Sequence, residues 1–174
     1  MNNLIVYKSN TGFTKEYAEM LERRIGADIK PLSKFHRSDL KEPTNIFFGG
    51  PLRNNVILGL DKFLKHYSKM EGKNIFIFAV GIEPLTDDKK DNVITANGLD
   101  LYHVRLYFLQ GGMDISKMGF FQRKMMTMGL KMASEKEGIS ADLINQRFST
   151  PISYVNSSNL DRLVDVYRRV NIGR

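Results

Sequence analysis

Ser9, Thr11 and Thr14 place three hydroxyl groups close together in the stretch "VYKSNTGFTKEYAEML", Val6 to Leu21. Gly12 lies among them and allows a backbone to approach a ligand closely. A β-branched run ends just before these residues, and a helical pattern begins just after them. The start of a helix offers free N–H groups and the positive end of the helix dipole, so hydroxyl donors there suit a phosphate. The same residues also make an ordinary helix cap that holds nothing.

Other chemistry is sparse. The chain has no cysteine, which removes disulfides, thiolate nucleophiles and cysteine-bound metal centres. His36, His66 and His103 fall in separate segments without metal-ligand spacing, so no metal is assigned. No side chain stands out as a nucleophile or general acid. Arg53, in "GGPLRNN", and the group Glu83, Asp87, Asp88, Lys89 and Lys90, in "VGIEPLTDDKK", are charges in the segments that follow strands. Arg53 reads equally well as a solvent-facing arginine.

These residues need elements to position them. "NLIVYK", "ADIKPL", "NIFFGG", "NIFIFAVG" and "VRLYFLQGG" read as five strands, mostly continuous apolar runs of the kind covered on both faces. Pro31 argues for an edge or a strand end at the second, and Gly49, Gly50 and Pro51 stop the third. Helices are expected from Thr14 to Gly26, from Val56 to Met70 and from Asp87 to Leu99. A C-terminal helix carries Leu160, Leu163, Val164, Tyr167 and Val170, with Ser157 or Ser158 as its cap. Between "LQGG" and "TPISYV" lies Met113 to Ser149, too long for a structureless loop. Lys117–Lys136 reads as helical, "SADLINQ" as a further turn, and "PISYV" as a return to the sheet edge.

Strands alternating with helices give an α/β class with a parallel sheet, in one domain spanning 1–174 with a helical insertion at 113–149. No repeat or linker interrupts it. The N-terminus has no signal-peptide pattern and no apolar run reaches bilayer length, so a cytoplasmic protein is expected. A net charge of +7 suits nucleic acid, an anionic membrane or an acidic partner, or simply a solvated basic surface. The aromatic-interleaved basic motifs of nucleic-acid modules are missing, and no nucleic acid is expected. G-x-x-x-x-G-K-[ST] and G-x-G-x-x-G are absent, which argues against an ATPase and a dinucleotide fold.

"SNTGFT" matches the [ST]-x-T-G-x-T phosphate loop that follows the first strand of flavodoxins. The chain resembles flavodoxin-like proteins along nearly its whole length. The resemblance implies a three-layer fold with a five-stranded parallel sheet of order 2-1-3-4-5, and FMN as the ligand. It implies that Ser9, Asn10, Thr11, Gly12, Phe13 and Thr14 wrap the phosphate. Pro51, Leu52, Arg53 and Asn54 in the second loop, Gly81, Ile82 and Glu83 in the third, and Gly112 after the fifth strand would complete the cofactor site. Unlike acidic electron-carrier flavodoxins with aromatic flavin loops, this chain is basic, and the second and third loops contain no Trp, Tyr or Phe. Arg53 beside a flavin would favour its reduced anion and raise its potential.

The second-loop element "PLRNN" and the basic insertion "SKMGFFQRKMMTMGLKM" resemble the quinone-linked, flavodoxin-like protoporphyrinogen dehydrogenases. That likeness implies a small-molecule redox substrate and a quinone acceptor. No acid occurs from Ser116 to Ser134, while Met118, Met125, Met126, Met128 and Met132 are interleaved with Lys117, Arg123, Lys124 and Lys131. Such a segment reads as a core helix, or as a surface for ligand, subunit or membrane, with peripheral contact through 117–136 and homo-oligomerisation both left open. A one-electron shuttle and a flavin-free binding module remain as alternative functions.

Overall fold

The computed structural model describes residues 2–84, 86–138, 140, 143 and 150–172. β1 (Asn3–Tyr7) leads into α1 (Phe13–Ile25), which ends at Gly26, where a positive φ of 61° turns the chain and the Gly26 N–H donates to Glu22 O. β2 (Asp28–Pro31), β3 (Asn45–Arg53), β5 (Asn74–Gly81) and β6 (Arg105–Gln110) join β1 in a parallel sheet ordered β2-β1-β3-β5-β6. Counted over its parallel members alone, this is the expected 2-1-3-4-5 order. β2 is the edge that Pro31 suggested.

Alternation along the strands sends side chains into two cores. Leu4, Val6, Ile46, Phe48, Ile75 and Ile77 pack on one face against Leu60 and Phe63 of α2 (Leu60–Leu64) and Val93 of α3 (Asp87–Ala96). Ile5, Phe47, Phe76 and Phe78 pack on the other against Tyr17, Ala18 and Leu21 of α1 and Leu163 and Val164 of α5 (Asp161–Ile172). Full burial of each such side chain stabilises the fold by about 1.5–3 kcal/mol. The amino end of the sheet is closed by asparagines in register. Asn45 donates to Asn3 Oδ1 at 2.9 Å, Asn74 donates to Asn45 Oδ1 at 2.8 Å, and Asn3 donates to the last carbonyls of α1.

Of the expected Val56–Met70 helix only a short middle stretch, Leu60–Leu64, is α-helical. β3 runs on through Gly49, Gly50 and Pro51 to Arg53 and turns back as β4 (Val56–Ile57), with Leu52 opposite Ile57 and Arg53 opposite Val56. Asn54 and Asn55 take positive φ of 48° and 65°, the conformation a two-residue hairpin turn requires. The glycines do not stop the strand. They permit close packing, since a Cβ at Gly49 would run into the Phe78 ring and one at Gly50 would lie 2.8 Å from Ile57 and from the Leu58 carbonyl. Only five helical residues follow in α2, after Gly59 at φ 86°, and a 3-10 turn covers Tyr67–Lys69. The third expected helix also stops early, at Ala96, with Gly98 left-handed behind it.

The insertion starts with β7 (Gly112–Met113) and a 3-10 turn at Ile115–Lys117, then forms α4 (Phe120–Glu137). "SADLINQ" lies largely outside the described residues. "PISYV" does not rejoin the main sheet. Ile152–Ser153, β8, pairs antiparallel with β7, so the two ends of the insertion are clasped together. The helix-capping side chain before α5 is that of Asn156, which accepts from the Ser158 N–H at 2.9 Å and caps a 3-10 turn at Ser157–Leu160. Neither serine takes that role.

Candidate functional site

At the carboxyl end of the sheet lies a cavity of about 950 Å³. This is where open α/β sheets place ligands. Four segments wall it: the β1–α1 loop, the β3–β4 hairpin, the loop after β5 with the first turns of α3, and the start of α4.

The β1–α1 loop contributes Asn10 and Thr11. Its shape is set by Gly12, at φ 101°, whose N–H donates to Ser9 Oγ at 3.2 Å and whose carbonyl takes the first helical N–H, from Glu16. Ser9 therefore spends its hydroxyl on the turn. Gly12 supplies the helix-start position but no side-chain cap. Thr14 is buried at 2% exposure, and its hydroxyl has no hydrogen-bond partner among the described residues. No nitrogen or oxygen of a described side chain is both sealed from solvent and unpartnered, so that hydroxyl keeps an opening. Phe13 turns inward, packing on the α1 core.

Pro51, Leu52, Arg53 and Asn54 line the cavity along the hairpin, with Asn55 and Leu58. The Arg53 guanidinium makes no ion pair among the described residues. Gly81, Ile82 and Glu83 form the next wall with Lys89 and Asn92 of α3. Lys89 donates to Glu83 at 2.7 Å. That hydrogen bond, and then the ammonium charge, hold the Glu83 carboxyl below its usual range. Glu83 is thus ionised and already answered by a cation.

Met125, Met126 and Gly129 of α4, with Met118 just before it, close the cavity. Arg123 fixes the entry to this helix by donating to the Ser116 and Met118 carbonyls. At its base Asp114 is 3% exposed. It accepts from the Ser116 hydroxyl and N–H and faces Lys117 at 3.3 Å, interactions that hold its carboxyl below the ordinary value, the serine bond first. Met125, Met128 and Met132 are 50%, 64% and 63% exposed, so these methionines do not form a core-helix face. Gly112 lies off the cavity wall, in β7. A Cβ there would run into the Ile152 carbonyl and the Phe13 ring, so its glycine serves the clasp.

The structure therefore brings together Asn10, Thr11, Pro51, Leu52, Arg53, Asn54, Gly81, Ile82 and Glu83, and leaves Ser9, Gly12, Phe13, Thr14 and Gly112 off the cavity wall. The family model for the flavodoxin domain matches residues 4–139, which covers the loop, the hairpin, α3 and α4. The chain belongs to the flavodoxin domain family. Curated proteins give no match to it. Among solved structures, this flavodoxin-domain protein is similar to a flavodoxin, WrbA-like protein from Agrobacterium tumefaciens. Identity is 17%, over 83% of this chain and 98% of that one, with a TM-score of 0.51. It is also similar to the two-electron reduced flavodoxin of Megasphaera elsdenii, at 17% identity over 61% and 82% of the two chains and a TM-score of 0.47.

Asn55, Leu58, Lys89, Asn92 and the α4 residues are cavity residues that sequence reasoning did not assign. "RNNV" held the signal for the first two, as paired asparagines favour a tight hairpin turn. The α4 methionines were legible as a candidate ligand surface beside the site, but their spacing did not decide between ligand, membrane, subunit and core. Among the described residues, no helix is long and apolar enough to cross a membrane.

Proposed function

We propose that this protein binds FMN in the carboxyl-end cavity and passes reducing equivalents between a small organic substrate and a second acceptor. The observation that carries this reading is the convergence of a hydroxyl-bearing helix-start loop, an arginine-bearing hairpin and an apolar methionine wall on one cavity. Its volume falls within the ~300–1,000 Å³ of cofactor sites. The donor chemistry also fits. Thr11, Asn10 and the first N–H groups of α1 suit a phosphate, and the Thr14 hydroxyl, behind the cavity wall and without a hydrogen-bond partner among the described residues, is a further donor in the same turn. Leu52 and Ile82 suit a flat apolar ring, which the methionines would cover.

When bound, FMN would supply one- and two-electron redox chemistry. The chain's own residues bind, orient and shield. Arg53 contributes a cation that no acid among the described residues neutralises, and Lys89 is occupied by Glu83. Met118, Met125 and Met126 exclude water from one side and offer an adaptable surface to an apolar substrate. With the basic character of the segment around them, this favours an anionic, largely apolar substrate, as in the quinone-linked protoporphyrinogen dehydrogenases that the chain resembles.

The test is a titration of purified protein with FMN by fluorescence quenching, then anaerobic reduction and turnover of protoporphyrinogen with a quinone. Tight FMN binding and quinone-dependent turnover are expected. Absence of FMN binding overturns the cofactor reading. Binding and reversible reduction without turnover overturn the substrate and leave the electron-shuttle alternative.

A further inference from the structure

Asn97 does not line the cavity, yet it joins two of its walls. It is the C-cap of α3, the helix that contributes Lys89 and Asn92 to one wall. Its side chain reaches the hairpin that contributes Pro51 to Asn55 to another. Asn97 Nδ2 donates to the Asn55 carbonyl at 2.7 Å and to the Val93 carbonyl at 2.7 Å, and Asn97 Oδ1 accepts from the Ile57 N–H at 2.9 Å. Both donor hydrogens and the acceptor are used. An aspartate would lose the two donated bonds, and an alanine all three.

The hairpin needs such a fastening. Its β3–β4 ladder is two residue pairs long, and its turn holds Asn54 and Asn55 in the left-handed region, which side chains adopt only at a cost. Ile57 anchors one strand by burial at 1% exposure, and the Leu58 N–H closes the hairpin onto the Pro51 carbonyl. Neither contact reaches the turn. At the turn itself, Asn55 is held to α3 through Asn97, and Arg53 lies two residues away on the same tip.

We propose that Asn97 is a positioning residue for the cofactor site, a latch that fixes the hairpin tip and thereby the Arg53 charge relative to α3. This rests on the reading of the cavity as an FMN site. The latch acts through Arg53 and the hairpin backbone, and touches no ligand itself.

The experiment compares wild type, Asn97→Ala and Asn97→Asp, each with and without Arg53→Gln. It reads FMN affinity, the midpoint potential of bound flavin, and amide hydrogen exchange at Ile57 without FMN. Asn97→Ala is expected to speed Ile57 exchange, to weaken FMN binding by about tenfold and to shift the midpoint. Asn97→Asp should keep Ile57 protection, because its carboxylate still accepts from the Ile57 N–H, while loosening the tip, because the donated bonds to Asn55 and Val93 are lost. In the Arg53→Gln background the shift caused by Asn97→Ala should largely vanish, since the charge it misplaces is gone. A merely structural cap would change stability and leave the potential alone. Faster Ile57 exchange with unchanged affinity and potential overturns the proposal, as does an Asn97 effect of the same size with and without Arg53. Should Asn97→Ala fail to fold, Asn97→Asp carries the same comparison. No FMN binding by wild type overturns the cofactor reading and, with it, the positioning role, whatever the Ile57 exchange; wild-type binding with no difference among the variants overturns the positioning role alone.

Discussion

Two threonines in the first loop carry different expectations. Thr11 faces the cavity, whereas Thr14 is buried in the first turn of α1 with its hydroxyl unpartnered among the described residues. Both alanine variants should weaken FMN binding, each by about 1–3 kcal/mol for the lost bond to a charged group, while the folded state stays intact. Fluorescence titration decides it, and unchanged affinity in both variants would remove the loop from the binding site. Ser9 should matter less, because its hydroxyl already accepts from Gly12. Arg53 makes a separate prediction. Arg53→Glu replaces attraction for the reduced flavin with repulsion and should lower the two-electron potential, read by spectroelectrochemistry. Equal midpoints would mean that the guanidinium points its charge into solvent. The loop was legible in the sequence because hydroxyls, glycine and helix start coincide in six consecutive residues, Ser9 to Thr14. The roles of Phe13 and Gly112 were not, because the motif gives backbone position and the side chains answer to the core and to β8.

At the scale of elements, the strands were legible and the second helix was not. Apolar β-rich runs such as "NIFIFAVG" have one use in an α/β chain, two-sided burial, and β5 takes it. Val56, Ile57, Leu60, Phe63 and Leu64 fit a helical stripe equally well, yet the first two belong to a hairpin. Their apolar spacing serves β4 as readily as a helix, and the paired asparagines with Gly59 decide between them. Asp39 links such elements at the sheet edge. It accepts from Lys30 of β2 at 2.7 Å and from the His36 N–H at 2.9 Å, and these bonds, the lysine's first, lower its pKa. A depressed carboxyl pKa stabilises the fold above the ordinary value of about 3.9, and the contribution is lost as pH falls through the folded value. Wild type should therefore lose more unfolding free energy, measured by urea titration, than Asp39→Asn on acidification below about pH 4, by no more than about 1 kcal/mol for so exposed a lysine. Parallel decline of the two would show the pair to be idle.

The molecule as a whole divides into a sheet whose amino end is sealed by asparagines and whose carboxyl end is covered in part by an excursion with a narrow base. Gly112 opposite Ser153 and Met113 opposite Ile152 bring the ends of that excursion side by side, and the Tyr154 N–H donates to the Gly111 carbonyl just outside them. Residues 114–151 can therefore be replaced by Asn-Gly between Met113 and Ile152, the two-residue turn such a strand pair accepts. The cut removes Asp114 together with Ser116 and Lys117, so no buried carboxylate is stranded. Shortening the loop recovers on the order of 2 kcal/mol of closure entropy, which offsets lost contacts of α4 with the cavity. The shortened protein should fold cooperatively and still bind FMN, because Asn10, Thr11 and the hairpin remain. Its flavin should be quenched more readily by iodide, because the Met118, Met125 and Met126 wall is gone. Turnover of an apolar substrate should fall far more than FMN affinity does. Replacing only Lys124 and Lys131 with Gln should instead leave iodide access unchanged and reduce the salt sensitivity of turnover, since the cations are removed and the wall is kept. Loss of FMN binding by a shortened protein that remains folded would make α4 part of the cofactor seat. Unchanged iodide access would place the methionine wall away from the flavin.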